Sequence, residues 1–149
     1  MLIPTKNKTQ QLLGCLLFSL LFISACSTVY DETQALDQQT WKQGDMVAFE
    51  FDIRDTTQLY DVYLEVGHGT TYRYQNIYCW ITTTMPDGSK RREQHSLELA
   101  NAKGYWLGDC SGESCERRLP FILKTAFPSE GRYRIQFEQH SRQAALSAI

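Results

Sequence analysis

The stretch YRYQNIYCWITTTMPDGSKRREQHSLELANAKGYWLG, residues 72–108, decides the fold. Residues 77–84 (IYCWITTT) are a run of β-branched and aromatic side chains, the kind that packs well on a pleated surface. Pro86-Asp87-Gly88 interrupts the run. Proline presets φ for the first turn position, aspartate suits the second, and glycine accepts positive φ. The chain returns through residues 94–99, where His95, Leu97 and Leu99 alternate with Ser96 and Glu98. That period of two gives the return strand one apolar face. The outgoing strand is apolar on both faces, with Ile77, Cys79 and Ile81 on one and Tyr78 and Trp80 on the other. Periodicity does not say which face is inside. A central strand of a sandwich, its aromatics partly covered by loops, fits best. The glycine-punctuated segment NAKGYWLG then closes the hairpin.

Outward from the hairpin, further strands follow. Val47, Phe49, Phe51 and Ile53 alternate with Ala48, Glu50 and Asp52, and Asp55-Thr56-Thr57 turns the chain. Tyr60, Val62, Leu64 and Val66 alternate with Asp61, Tyr63 and Glu65, and Gly67-His68-Gly69 is expected to end that strand. Residues 119–123 are apolar but hold Pro120, which cannot donate to a ladder, so an edge strand or a strand start is expected. After the turn Pro128-Ser129-Glu130-Gly131, Tyr133, Ile135 and Phe137 mark a last strong strand. Residues 139–149 read as polar and then weakly helical. These are about six strands with almost no helix, the pattern of an antiparallel β-sandwich, Ig-like or jelly-roll-like.

The start of the chain is a targeting segment. Lys6 and Lys8 lie in a polar first part, and residues 12–23 (LLGCLLFSLLFI) form an apolar run. That run is too short to span a bilayer, which takes about 20 residues. Ile23-Ser24-Ala25-Cys26 follows and resembles the lipobox of bacterial lipoproteins. The lipobox implies cleavage before Cys26 and acylation of its sulfur and new amino terminus, with membrane lipid as the partner. Each buried methylene contributes roughly 0.8 kcal/mol, so more than one acyl chain anchors firmly. The expected organisation is a signal peptide at 1–25, a polar lipidated tether at 26–44 and a β-sandwich at 45–149. Trp41 is expected to pack on the edge of that sandwich.

Composition limits the partners. Without Lys6 and Lys8, 13 basic residues face 17 acidic ones, a net charge of −4. No basic excess exists to displace counterions from phosphates, which argues against nucleic acid.

Candidate chemistry is sparse. Three cysteines follow Cys26: Cys79, Cys110 and Cys115. A bridge between Cys110 and Cys115, either side of a Ser-Gly-Glu-Ser loop, would close six residues. It would contribute roughly 2 kcal/mol. The alternative is two free thiols. Cys79 reads as a small buried hydrophobe. His68, His95 and His140 are far apart, so a metal site needs the fold to gather them. No nucleophile elbow, phosphate-cradling loop or HExxH helix is present, and no catalytic residue, cofactor or metal is expected. Tyr72, Tyr74, Asn76, Tyr78, Trp80, Tyr105 and Trp106 group around the hairpin and its exit loop. An exposed row of these rings, with Asn76 and Asp109 nearby, would suit a carbohydrate- or peptide-binding module. Buried rings under a polar exterior would suit an assembly subunit.

The order of motifs resembles a known family. The lipobox, Trp41, AFEFDI, YRYQNIYCWI, MPDG, LELANAKGYWLG and AFPSEGRYRIQFEQHSR are similar to the GldH gliding-motility lipoproteins of Bacteroidetes. The resemblance covers nearly all of residues 26–149 and lies in the order and spacing of short motifs. It implies a membrane-anchored, non-catalytic accessory of the gliding machinery, linked to type IX secretion. Its implied partners are other gliding and secretion proteins of the envelope, with the outer membrane favoured over the inner. Gly67 stands near where the resemblance implies arginine, and Ser141 near where it implies methionine. The resemblance also implies a further strand beyond residues 146–149.

Overall fold

In the computed structural model residues 28–149 are described; the leader, Cys26 and the proposed acylation lie outside the described residues. Residues Glu32–Ile149 form one compact unit. Nine strands follow in order: β1 (Thr40–Lys42), β2 (Met46–Ile53), β3 (Tyr60–Gly69), β4 (Asn76–Thr84), β5 (Lys90–Glu98), β6 (Asp109–Ser111), β7 (Ser114–Thr125), β8 (Gly131–Gln139) and β9 (Ala145–Ser147). They build a four-stranded sheet in the order β2-β8-β4-β5, a three-stranded sheet in the order β3-β7-β6, and a ribbon of β1 with β9. Every named pairing is antiparallel.

The two larger sheets face each other across one main core. Ile77, Cys79, Ile81, Leu97, Ile135 and Phe137 come from the four-stranded sheet, and Leu64, Val66, Leu119 and Phe121 of the other sheet pack against them. This is an all-β antiparallel sandwich, its inner side chains alternating with polar outer ones along each strand. A smaller cluster of Ile53, Phe127 and Tyr133 closes one end. There the Tyr133 hydroxyl donates to the Ser129 carbonyl at 2.9 Å and fixes the turn before β8. Gly131 in that turn has φ +125°, and a Cβ would press on the Pro86 ring. Only glycine suits both constraints.

The sequence reading needs four corrections. β3 ends at Gly69 as expected but takes all of Gly67-His68-Gly69 into the strand, and His68 is buried. The alternation of 60, 62, 64 and 66 continues to 68. A Cβ at Gly67 would meet nothing, whereas one at Gly69 would lie 3.2 Å from the Ala148 Cβ. Second, the apolar run at 119–123 belongs to a twelve-residue strand, β7. Pro120 fits because β6 pairs only as far as Glu116, so beyond that point β7 has a partner strand on the β3 side alone among the described residues. The register also shifts there, with Val62 opposite Ile122 but Tyr63 opposite Pro120. Third, residues 110–115 are the end of a tight β-hairpin, not a loose loop. Fourth, the tail read as weakly helical forms β9, and it pairs with β1 inside the segment read as a tether. Trp41 and Leu146 face each other there and join the main core. Gln139 pins this ribbon. It is buried, its side-chain amide donates to the Gln143 carbonyl at 3.3 Å, and its Oε1 accepts the Ser141 amide at 2.9 Å.

Candidate functional site

β4 settles which face is inside. Ile77 and Cys79 are fully buried, whereas Tyr78 is 47% exposed. Burial pushes the Cys79 thiol up to about 12, so it stays protonated at neutral pH and is a poor nucleophile. Asn76, Tyr78 and Trp80 point to the outer side of the four-stranded sheet. The Asn76 side chain donates to the Ser96 hydroxyl at 2.6 Å, and Ser96 donates to Glu98 at 2.6 Å. Trp80 is half-buried between the Arg92 guanidinium, 4.8 Å from its ring centre, and the His140 ring at 5.4 Å. Arg92 in turn pairs with Glu138 at 2.9 Å. The same face carries ion pairs of Arg132 with Asp52 and Arg134 with Glu50. The result is a charge-balanced surface with two aromatic rings on it.

The other aromatics do not join that row. Tyr72 is buried in the main core, and its hydroxyl donates to the Asn76 carbonyl at 3.2 Å. Burial raises its phenol well above the usual tyrosine range. Trp106 is half-buried, its ring centre 4.5 Å from that of His68. Tyr74 leans edge-on against Tyr72 at 5.6 Å and keeps an exposed side. Tyr105 is 68% exposed in a tight loop built on Asn101, whose side-chain oxygen accepts the Lys103 and Tyr105 amides. The seven residues grouped by sequence thus divide. Tyr72 and Trp106 serve packing, Asn76, Tyr78 and Trp80 share the outer face of the four-stranded sheet, and Tyr74 and Tyr105 reach the surface elsewhere.

Cys110 and Cys115 stand directly opposite one another in the β6–β7 hairpin and are joined by a disulfide. Cys115 is buried opposite His68, and Cys110 is exposed. Gly108, just before β6, lies so close to the Glu116 carbonyl that a Cβ would collide with backbone. Asp109 lines an open groove with Glu65, Arg117 and Arg118 and stands apart from the Tyr78–Trp80 face.

The histidines occupy three different settings: His68 beside Trp106, His95 against Phe121, and His140 outside on Trp80. Among the described residues no cluster of three or more His, Cys, Asp or Glu is placed to hold a metal. Nε2 of His68 and Nε2 of His95 are buried with no hydrogen-bond partner among them. Sequence reading overlooked His68 as an interior residue. Its even-numbered place in the Tyr60–Val66 alternation was the signal.

Comparison with known proteins decides the family. A family model described as GldH lipoprotein matches residues 28–149, the whole described region. The chain belongs to the GldH lipoprotein family. One similar relative is the gliding motility lipoprotein GldH homolog of Christiangramia forsetii. It is 26% identical over 129 residues, 85% of this chain and 78% of the relative. Another is the gliding motility lipoprotein GldH of Flavobacterium johnsoniae, 21% identical over 133 residues, 88% of this chain and 82% of the relative. No solved structure matches. In this fold the stretch YRYQNIYCWI leads into and forms most of the central strand β4, which runs on towards the MPDG turn.

Proposed function

We propose that this protein is a non-catalytic accessory of the gliding machinery, anchored in the cell envelope through acylated Cys26 and linked to type IX secretion. It works by contact with other envelope proteins, and the outer membrane is its more favoured site. The observation that carries this reading is the family match across residues 28–149, with the lipobox Ile23-Ser24-Ala25-Cys26 standing just before it.

The alternative is an envelope glycan-binding module. Tyr78 and Trp80, two residues apart on one outer face beside Asn76, favour it as a stacking platform. The division of the remaining rings between core and separate surfaces weighs against it.

Cys26→Ala separates anchoring from folding. Expressed in a gliding host that lacks its own family member, the variant is expected in the soluble envelope fraction, with spreading motility lost. Cys79→Ser is the control: it places a hydroxyl in the core at a cost of about 1–3 kcal/mol, yet leaves the protein in the membrane fraction. A Cys26→Ala protein that stays with membranes would overturn the anchor. Full motility without attachment would overturn the envelope role. Selective retention on a glycan array, lost in Tyr78→Ala, would favour the alternative.

A further inference from the structure

Among the described residues, the ribbon of β1 and β9 leaves one strand edge open onto a groove. The Gln43 amide donates to the Ala144 carbonyl at 2.8 Å, which makes these two a hydrogen-bonded pair. In an antiparallel ladder such pairs alternate with pairs that share no backbone bonds. Trp41 and Leu146 therefore exchange bonds, whereas Thr40 with Ser147 and Lys42 with Ala145 do not. The amides and carbonyls of Ala145 and Ser147 consequently point away from β1. No strand among the described residues pairs with β9 on that side. At one end only, the Gly69 amide donates to the Ala148 carbonyl at 2.8 Å.

A groove of about 460 Å³ runs along this open edge. Ala145, Ser147 and Ala148 line one part of it, and Thr71, Arg73, Tyr74 and Gln143 line the rest. Tyr74 presents a partly exposed ring, set against the buried Tyr72 and so held in place. Arg73 is the one charged residue in the lining, and no carboxylate balances it there. Within a chain whose net charge is negative, this is a local positive site.

We propose that the groove receives an extended acidic segment of a partner polypeptide, which adds as a strand beside β9. Main-chain bonds to Ala145 and Ser147 hold the segment, and alternate side chains meet Arg73 and Tyr74. A carboxylate on the guanidinium gives the charge-assisted contact. An open strand edge offers donors and acceptors at the backbone repeat of a polypeptide, a match that a sugar chain lacks. The inference stands on backbone geometry and does not depend on gliding; its test leaves Cys26 untouched, so either reading can fail alone.

The test uses the full-length protein in detergent against blocked synthetic peptides of about eight residues, with Asp or Glu exchanged for Asn or Gln at matched positions. Acidic peptides are expected to bind roughly tenfold tighter than their amide counterparts. Arg73→Glu removes or inverts that preference. Ser147→Pro abolishes binding, because it deletes an outward amide and leaves the Leu146 ladder bonds in place. Thermal melts check that both variants fold. Should Ser147→Pro unfold, peptides N-methylated at alternate positions remove the same bonds from the other side and are expected to lose binding. Equal binding of acidic and amide peptides, binding unchanged by Arg73→Glu, retention of N-methylated peptides, or no binding at all overturns the proposal. So does a dimer of the protein itself that these substitutions dissolve, since the occupant is then a second copy.

Discussion

The β4–β5 and β6–β7 hairpins are held shut by different means. β4 and β5 pair over nine residue positions and bury Ile77, Cys79, Ile81 and Leu97. Their turn is closed by Asp87, whose side chain accepts the Ser89 amide and hydroxyl. β6 and β7 pair over three positions, all of β6 is exposed, and Cys115 is the one buried residue of those pairs. A disulfide stands there in place of an apolar face. A long ladder with a buried side closes by packing. A short one in solvent gains little from burial and depends on a covalent link that restrains the unfolded chain.

The comparison is sharpened first at β4. Ile81→Ala should lose about 2–5 kcal/mol in denaturant melts, because it leaves a cavity in the main core. Tyr78→Ala, on the opposite face of the same strand, should change stability by about 0.5 kcal/mol or somewhat more. Equal losses would show that the two faces are wrongly assigned. Next comes the bridge. The double variant Cys110→Ser, Cys115→Ser should lose roughly 2 kcal/mol, close to the loss on adding reductant to the wild type. Amide exchange should speed up in β6 and the start of β7 and stay slow in β4. Uniform acceleration would mean that the bridge supports the whole sandwich.

The smallest effect lies in the turns. Hydrogen bonds from Ser89 hold the Asp87 carboxyl below its ordinary value of 3.8, and bonds from Thr57 and Gln58 do the same for Asp55. A depressed folded value means that the native state favours the ionised form. The stabilisation is present above the ordinary value and is lost as pH falls through the folded one. Melting temperature should therefore drop on acidification below the ordinary carboxylate range, and Asp87→Asn should flatten part of that drop. An unchanged acid limb would remove the turn's role. Because Asp55 contributes the same effect, the flattening should be incomplete.

Legibility followed the length of the pattern. β2, β3 and β8 carry alternation over many residues, and β4 is a long β-branched and aromatic run; each was readable from the sequence, and β5 was read from residue 94 onward. β1, β6 and β9 have three residues each, too few to show any period. The candidate site divided for a related reason. Tyr72 and Trp106 look like Tyr78 and Tyr105 in a string of letters. The first pair packs against His68, which sits inside β3 between two glycines.

What residue order alone determined is that the chain makes two-faced strands separated by turns, since side-chain period and turn chemistry are local properties. It also carried the resemblance that the family match then established. Only the tertiary structure decided which face of β4 is covered. It alone brought Trp41 beside Leu146, more than 100 positions along the chain. Such pairings depend on which distant segments can bury surface together while satisfying each other's backbone, and neither segment encodes that by itself.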